Sequence, residues 1–573
     1  MEENRITETG LSILCRKVIE AGWMATVVVV PIFFNVYSHR SFEPDKIALM
    51  RSIALVMALA WAIRTLEVGK WRQSRTPLVL SALLLAVVYI LTTIASISPR
   101  LSFWGSYHRV QGSYTSLSYI VIFLSILYVL RHRSQLHRLI TVILFASLPV
   151  SLYGIMQHYG LDPIAWTNVG AKVTVRAIST MGNPIFVAAY LIMVVPLTVA
   201  RLVQLLLAVR RRKGIVSLYL LTGCYTLLLA SQLLCILFTQ SRGPLLGLLG
   251  GIFFFLLLVA VSGGRRKLAS VLLGGAGLVC LFLVVLNLPD ISFASIPSFE
   301  RLSSLLNLES RTVQQRILAW EGATHLIAAD PWRTLIGYGP DTMIVALNQH
   351  LPAELASLKP GETFDRSHNE ILDILATTGF VGLVAHLFFL GSVFYYGMKA
   401  LGLIRNYRGR NLFILLHLAG GLTGGMLPRL LEGEWRFAGL GVSAGILLAL
   451  GIYLMISVFH KSPKAVVQSP TSNLQLLLIA LLSAILAHFI EVQFGIAIVV
   501  TRIFFWIYAA LVAVVALHLQ GRTTLAHTMS LQASDKQHSR RRKGAARRKR
   551  RPEGAPTGAS VQAASLVSLS LLV

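Results

Sequence analysis

Charge is what this chain of 573 residues has least of: Asp, Glu, Lys and Arg together make up 13% of it. A soluble chain this long needs roughly twice that fraction to cover its surface. The three or four soluble domains that length alone suggests are therefore excluded. Acidic residues are the scarcer kind, 24 against 52 Lys and Arg. Of the four cysteines, Cys15 precedes the first apolar run, and Cys224, Cys235 and Cys280 lie inside such runs. No exposed pair offers a disulfide framework. The sequence has no HExxH, CxxC or phosphate-loop motif and no evident internal repeat. Its polar, acidic opening, MEENRITETG, does not read as a cleavable signal peptide.

Apolar residues make up 55% of the chain. They are gathered into runs of about 20, each long enough to cross ~30 Å of hydrocarbon. Continuous runs exclude a β-barrel, whose strands alternate. The fold class is an all-α polytopic membrane protein. About 14 transmembrane helices are expected, near 21–37, 47–64, 77–96, 114–130, 138–156, 184–208, 216–238, 243–262, 268–288, 370–398, 411–428, 437–458, 474–491 and 498–518.

Basic clusters set the expected sidedness. They follow every even-numbered span: Arg64 to Arg75, Arg131 to Arg138, Arg210 to Lys213, Arg265 to Lys267, Lys399 to Arg410, and Lys461 with Lys464. Both termini are thereby expected in the cytoplasm. The expected organisation is a cytoplasmic segment 1–20, a membrane domain 21–519 and a cytoplasmic basic tail 520–573. A long extracytoplasmic loop, 289–369, precedes the tenth span. It contains the amphipathic stretch SFERLSSLLNLESRTVQQRILAWEGATHLIA, read as helices over the outer face. Asp330-Pro331 should end the last of them, and the glycines of TLIGYGPDTM should make a tight turn.

The net charge of +28 is mostly topological. What remains is the tail block HSRRRKGAARRKRR, expected to lie on anionic membrane lipid. No aromatic residues interleave its basic ones, so no nucleic acid is expected as a partner.

Several outward residues run against the charge bias. Arg109 lies in FWGSYHRVQGSY, Arg176 in VTVRAISTMGNP and Arg242 in FTQSRGPLLG. Arg301, Arg311, Arg316, Arg333 and Arg366 lie in the long loop, and His368-Asn369 opens the tenth span. Arg242 stands between two apolar spans with no acid near it in sequence, which costs a few kcal/mol unless it is paired or wet. Guanidinium forks match phosphate oxygens in pairs, so an anion site near the outer surface is one reading and a snorkelling side chain the other. An imidazole can accept a proton near neutral pH. Arginines holding a diphosphate beside a neutral His would suit transfer from a lipid diphosphate to a hydroxyl. Glu43 and Asp45 read as solvated loop charges rather than metal ligands, and no metal or cofactor is expected. His488, Glu491 and Arg502 read as a polar cluster at the outer interface, and Arg429, Glu432, Glu434 and Arg436 as mutually balancing charges.

Residues 89 to 390 resemble the bacterial O-antigen ligase and O-antigen polymerase family. The stretches are SISPRLSFWGSYHRVQGSY, YGIMQHYGLDPIAW, RAISTMGNPIFVAAYL, FTQSRGPLLGL, RILAWEGATHLIAADPWRTLIGYGPDTM and SHNEILDILATTGFVGLVAHL. FGIAIVVTRIFFWIYAAL is similar to a lesser degree. The resemblance implies an inverting, metal-independent glycosyltransferase of the bacterial cytoplasmic membrane. It would move a glycan from undecaprenyl diphosphate to a glycan, lipid or protein acceptor. It implies that His368 is catalytic with Asn369 beside it, and that Arg242, Arg316, Arg176 and Arg109 bind the donor diphosphate. Asn183-Pro184-Ile185 stands where the family often has Asn-Pro-Asn. The rival reading is a transporter of an anion or solute that binds at the same arginines, with ionisable residues deep in its spans.

Overall fold

The computed structural model describes residues 9–68, 76–164, 176–211, 214–286, 310–358, 360–459 and 472–519. One compact unit ends at Leu519. The tail 520–573, Arg301, Lys461 and Lys464 lie outside the described residues.

Helices lie over all of the expected spans: α1 (Gly10–Ile32), α2 (Glu43–Val68), α3 (Val79–Ile94), a short α4 (Pro99–Trp104), α5 (Ser113–Val129), α6 (Arg133–His158), α7 (Pro184–Arg211), α8 (Val216–Thr239), α9 (Arg242–Ser262) and α10 (Arg266–Leu286). The long loop contributes α11 (Arg311–Ala328), α12 (Pro331–Ile336), α13 (Met343–Ala346) and α14 (Ala353–Leu358). Then come α15 (Glu370–Ala400), α16 (Tyr407–Glu432), α17 (Ala438–Phe459), α18 (Asn473–Glu491) and α19 (Val499–Leu519). Among the described residues, ten helices are long and apolar enough to cross a membrane, and α3 and α5 are apolar but shorter. The protein is thus an all-α, multi-span membrane protein.

The last two helices form its centre. The most apolar windows of α18 and α19 are 83% and 94% buried, against 11% for α16, whose leucines face outward. α18 packs on α7 and α9. α16 and α17 form a hairpin closed by small residues. A Cβ on Gly424 would sit 2.1 Å from the Gly441 carbonyl oxygen, so only glycine permits this approach.

The loop between α10 and α15 is anchored on the helical bundle through a break in α15. Gly379 has φ 67° and ψ −171°, which interrupts the helix. The carbonyls of Ala376 and Thr377 instead accept from Tyr338 N (2.9 Å) and Gly339 N (2.8 Å) of the loop. Asp330 caps α12 by accepting from Trp332 N (2.9 Å), with Pro331 at the first helical position, so Asp330-Pro331 separates two helices as expected. The loop's apolar face, with Trp320, Ala323, Leu326 and Met343, packs on Leu372 and Ala376 of α15. Trp320 meets Phe437 edge-on at 6.0 Å.

Glu43 departs from the sequence reading. It opens α2, is buried, and accepts from Val499 N at 3.2 Å. Asp45 is bound instead to Asn35 (2.8 Å), so the two carboxylates serve different segments. Arg436 pairs with Glu432 at 3.3 Å, as the balance of charges there suggested.

Candidate active site

His368 is the last residue but one before α15, and it adopts φ +64°, a left-handed conformation that costs a side-chain-bearing residue free energy. Its neighbours hold the turn from every side. Asp365 accepts from Arg109 Nε (2.6 Å) and Nη2 (3.2 Å). Arg366 Nη2 donates to Asp341 (3.0 Å). Ser367 donates to Asp373 from its amide (2.8 Å) and its hydroxyl (2.6 Å). Asn369 caps α15 by accepting from Leu372 N (3.1 Å), while its amide donates to the Gln493 carbonyl (3.2 Å).

The half-buried imidazole has no such anchor on Nδ1, which is buried without a hydrogen-bond partner. Burial first, then the positive fields of Arg316 and Arg109, push its pKa down to about 4, with Asp365 and a hydrogen bond to the Arg366 backbone opposing. The ring is therefore neutral at physiological pH. Burial works against the charge on Arg109, but the Asp365 carboxylate outweighs it and keeps the guanidinium above its ordinary value. Arg316, on α11, is partly buried, which lowers its pKa, while the nearby Glu491 carboxylate acts the other way.

Arg242 is the exposed first residue of α9, directly after the capping position Ser241. Its neighbour Gly243 faces Phe494, and a Cβ there would lie 3.5 Å from that side chain. Phe494 follows Gln493, whose carbonyl binds Asn369. The 491–494 segment is thus the common neighbour of the Arg242 and His368 turns, and Glu491 in it interacts with Arg316. Arg176 donates from Nε to the Thr239 carbonyl (2.9 Å) and from Nη2 to the Ser241 hydroxyl (3.2 Å). It braces the turn that ends at Arg242. Arg109 is held by Asp365, and Arg176 by the Thr239 carbonyl and the Ser241 hydroxyl.

How Asp341 is used escaped the sequence reading, which took the acids of the long loop as surface charges or partners of its arginines. One of its oxygens accepts from Ser106 N (2.7 Å), Ser106 Oγ (3.0 Å) and Gln111 N (3.2 Å), and the other from Arg366. It joins the Arg109 loop to the His368 turn. Two buried cations of α2 escaped it as well. Arg51 donates to the Trp104 (2.7 Å) and Val110 (2.9 Å) carbonyls, and Lys46 donates to the Thr180 carbonyl (2.8 Å). Their signal was present: a cation inside an apolar run is costly unless it binds something.

Beneath the turn, Arg502 pairs with Glu370 (3.0 Å) and His488 lies 3.4 Å from Glu491. A cavity of about 50 Å³ is bordered by Asp341, Arg366, Glu370, Asp373, His386 and Arg502, on either side of the His368 turn in sequence.

No curated protein matches the chain. Residues 225–387 match the family described as O-antigen ligase, a span that includes Arg242, Arg316, His368 and Asn369 but not Arg109 or Arg176. The chain therefore carries an O-antigen ligase domain within a polytopic helical protein, which makes it a multi-pass membrane glycosyltransferase of polysaccharide biosynthesis.

Proposed function

We propose that the protein transfers a glycan from undecaprenyl diphosphate to an acceptor hydroxyl at the outer face of the bacterial cytoplasmic membrane, with inversion and without a metal. The observation that carries this reading is the neutral His368, with an unpartnered Nδ1, in the field of Arg316 and Arg109. His368 removes the proton from the acceptor hydroxyl. The acceptor oxygen attacks the anomeric carbon from the face opposite the diphosphate. The new glycosidic bond forms as the bond to the phosphate oxygen breaks. Arg242 and Arg316 stabilise the charge that collects on the departing diphosphate. Neutralisation by guanidinium groups makes a divalent cation unnecessary, and the donor bond supplies the energy.

The same charges tune the base. Arg316 and Arg109 hold the free imidazole low; a bound diphosphate offsets them and raises its basicity when the acceptor is attacked. Arg109 reaches the donor through this effect and through Asp365. Arg176 acts by fixing the turn before Arg242. Asn369 orients the His368 turn.

In this reading both termini are cytoplasmic, α1 and α10 also cross the membrane to complete fourteen spans, and the basic tail lies on anionic lipid. The donor is lipid-linked; the acceptor is a lipid A core sugar in a ligase, another lipid-linked repeat in a polymerase, or a protein. A deletion strain tests the proposal. Loss of long chains with single repeats retained identifies a polymerase. Long lipid-linked chains that never reach their acceptor identify a ligase. Unchanged glycans with altered solute uptake overturn the proposal in favour of transport.

A further inference from the structure

α1 and α6 run side by side in the same direction. Glu20 of α1 accepts from Gln135 Nε2 of α6 (2.8 Å) and pairs with Arg138, while past the far end of α1 Phe34 stacks on Tyr153 at 6.1 Å. Beside the Glu20 contact the two helices leave an open cleft of about 620 Å³. Its rim is charged, with Lys17, Glu20 and Arg138. Its other walls, farther along both helices, are the apolar side chains of Ala21, Met24 and Val142. Charge and apolar surface thus follow one another along the helix axis. From Lys17 to Met24 the cleft extends about 10 Å at the helical rise per residue.

The rim has an unbalanced charge. The Glu20 carboxylate is taken by Arg138 and Gln135. Lys17 is exposed and has no ion-pair partner among the described residues. Two fixed cations therefore stand against one carboxylate, and His137 beside them can add positive charge but no negative. A single phosphodiester would cancel the surplus. A zwitterionic head group would bring its own cation and leave the surplus in place.

We propose that this cleft binds one anionic glycerophospholipid of the surrounding membrane, with its phosphodiester on Lys17 and Arg138 and the start of an acyl chain along Ala21, Met24 and Val142. Basic clefts between membrane helices suit anionic head groups in this way. The site uses none of the residues of the donor site and does not depend on their reading. In the orientation proposed above it opens to the cytoplasmic leaflet. It differs from the basic tail in having a groove for the chain as well as charge for the head.

The test is native mass spectrometry of the full-length protein, titrated in detergent with dioleoylphosphatidylglycerol or dioleoylphosphatidylcholine. The wild type should bind one phosphatidylglycerol several-fold more tightly than phosphatidylcholine. Lys17→Gln should weaken that first lipid about fivefold, the worth of one basic residue at an anionic head group. Ala21→Trp keeps every charge and fills the groove, so it should lose the tight lipid while the tail is unchanged. Lys17 and Ala21 are both exposed, so thermal unfolding of the variants in phosphatidylcholine nanodiscs should match the wild type. Should Ala21→Trp not fold, Lys17→Gln and the comparison of the two lipids decide. Equal affinity for the two lipids, or wild-type affinity in Lys17→Gln, overturns the inference. Wild-type affinity in a folded Ala21→Trp overturns it too, since binding would then need charge alone. Displacement of the lipid by millimolar inorganic phosphate would assign the rim to a soluble anion, and a dimer that Ala21→Trp dissociates would assign the cleft to a second copy; either result overturns the lipid site.

Discussion

Arg366 and Asp341 form a buried ion pair, Nη2 to Oδ1 at 3.0 Å, with side-chain exposures of 8% and 3%. The pair joins the turn that carries His368 to the loop that carries Arg109. Asp341 also has φ +60°, so its conformation depends on the contacts it makes. Asp341→Ala leaves Arg366 buried without its partner and frees the amides of Ser106 and Gln111. A loss of about 3–5 kcal/mol is expected for breaking such a pair from one side. Thermal unfolding in nanodiscs measures it, and transfer activity should fall with kcat more than with KM.

His368 gives a pH signature with a definite sign. The base works when neutral, and the free site holds it near 4 rather than near 6.5. The acid limb of kcat/KM should therefore lie well below pH 6. Because the diphosphate opposes Arg316 and Arg109, the corresponding limb of kcat should lie at higher pH. Stability follows the same linkage: the folded chain binds fewer protons here than the unfolded one between about pH 6.5 and 4, so this contribution is lost as pH falls through that window. Unfolding profiles of wild type and His368→Gln should converge above pH 7 and separate below it.

Arg242 should not tolerate lysine. Arg242→Lys keeps the charge but loses the planar fork that pairs with two phosphate oxygens. Donor KM should rise about tenfold, the equivalent of ~1.4 kcal/mol, while unfolding is unchanged because Arg242 is exposed. A KM within twofold of wild type would remove Arg242 from the donor site.

Gly379 tests the junction of loop and membrane domain. A Cβ there would stand 2.3 Å from the Leu335 carbonyl oxygen, in a backbone conformation that side chains rarely adopt. Gly379→Ala should displace α12 and the loop that follows it. Less folded protein and reduced transfer are expected; measuring both after purification separates the two effects. Gly391, further along the same helix, has open space around its Cβ position, and Gly391→Ala should be silent.

The residues of the site differed in how visible they were in the sequence. Arg242, Arg316 and His368 stood out because outward charges between apolar runs oppose the charge bias of membrane topology. Helix positions were visible because apolar length is a local property. Asp341 was visible as an acid that could pair with an arginine of its loop, but its bond to Ser106 crosses the fold in a way that sequence spacing does not reveal. Glu43 looked like a loop acid, yet it meets Val499, more than four hundred residues away in the chain. Glu491 and His488 were seen as one polar cluster, but their neighbourhood with Arg316 depends on how α11 docks. Arg51 and Lys46 lay within or beside an apolar run and carried a usable signal.

The central claim is that His368 does the proton chemistry while the arginines hold the diphosphate. It is tested most directly by measuring undecaprenyl diphosphate binding and glycan transfer on the same preparation of His368→Ala. The account predicts binding within a few-fold of wild type and no detectable transfer. Transfer at the wild-type rate would contradict it.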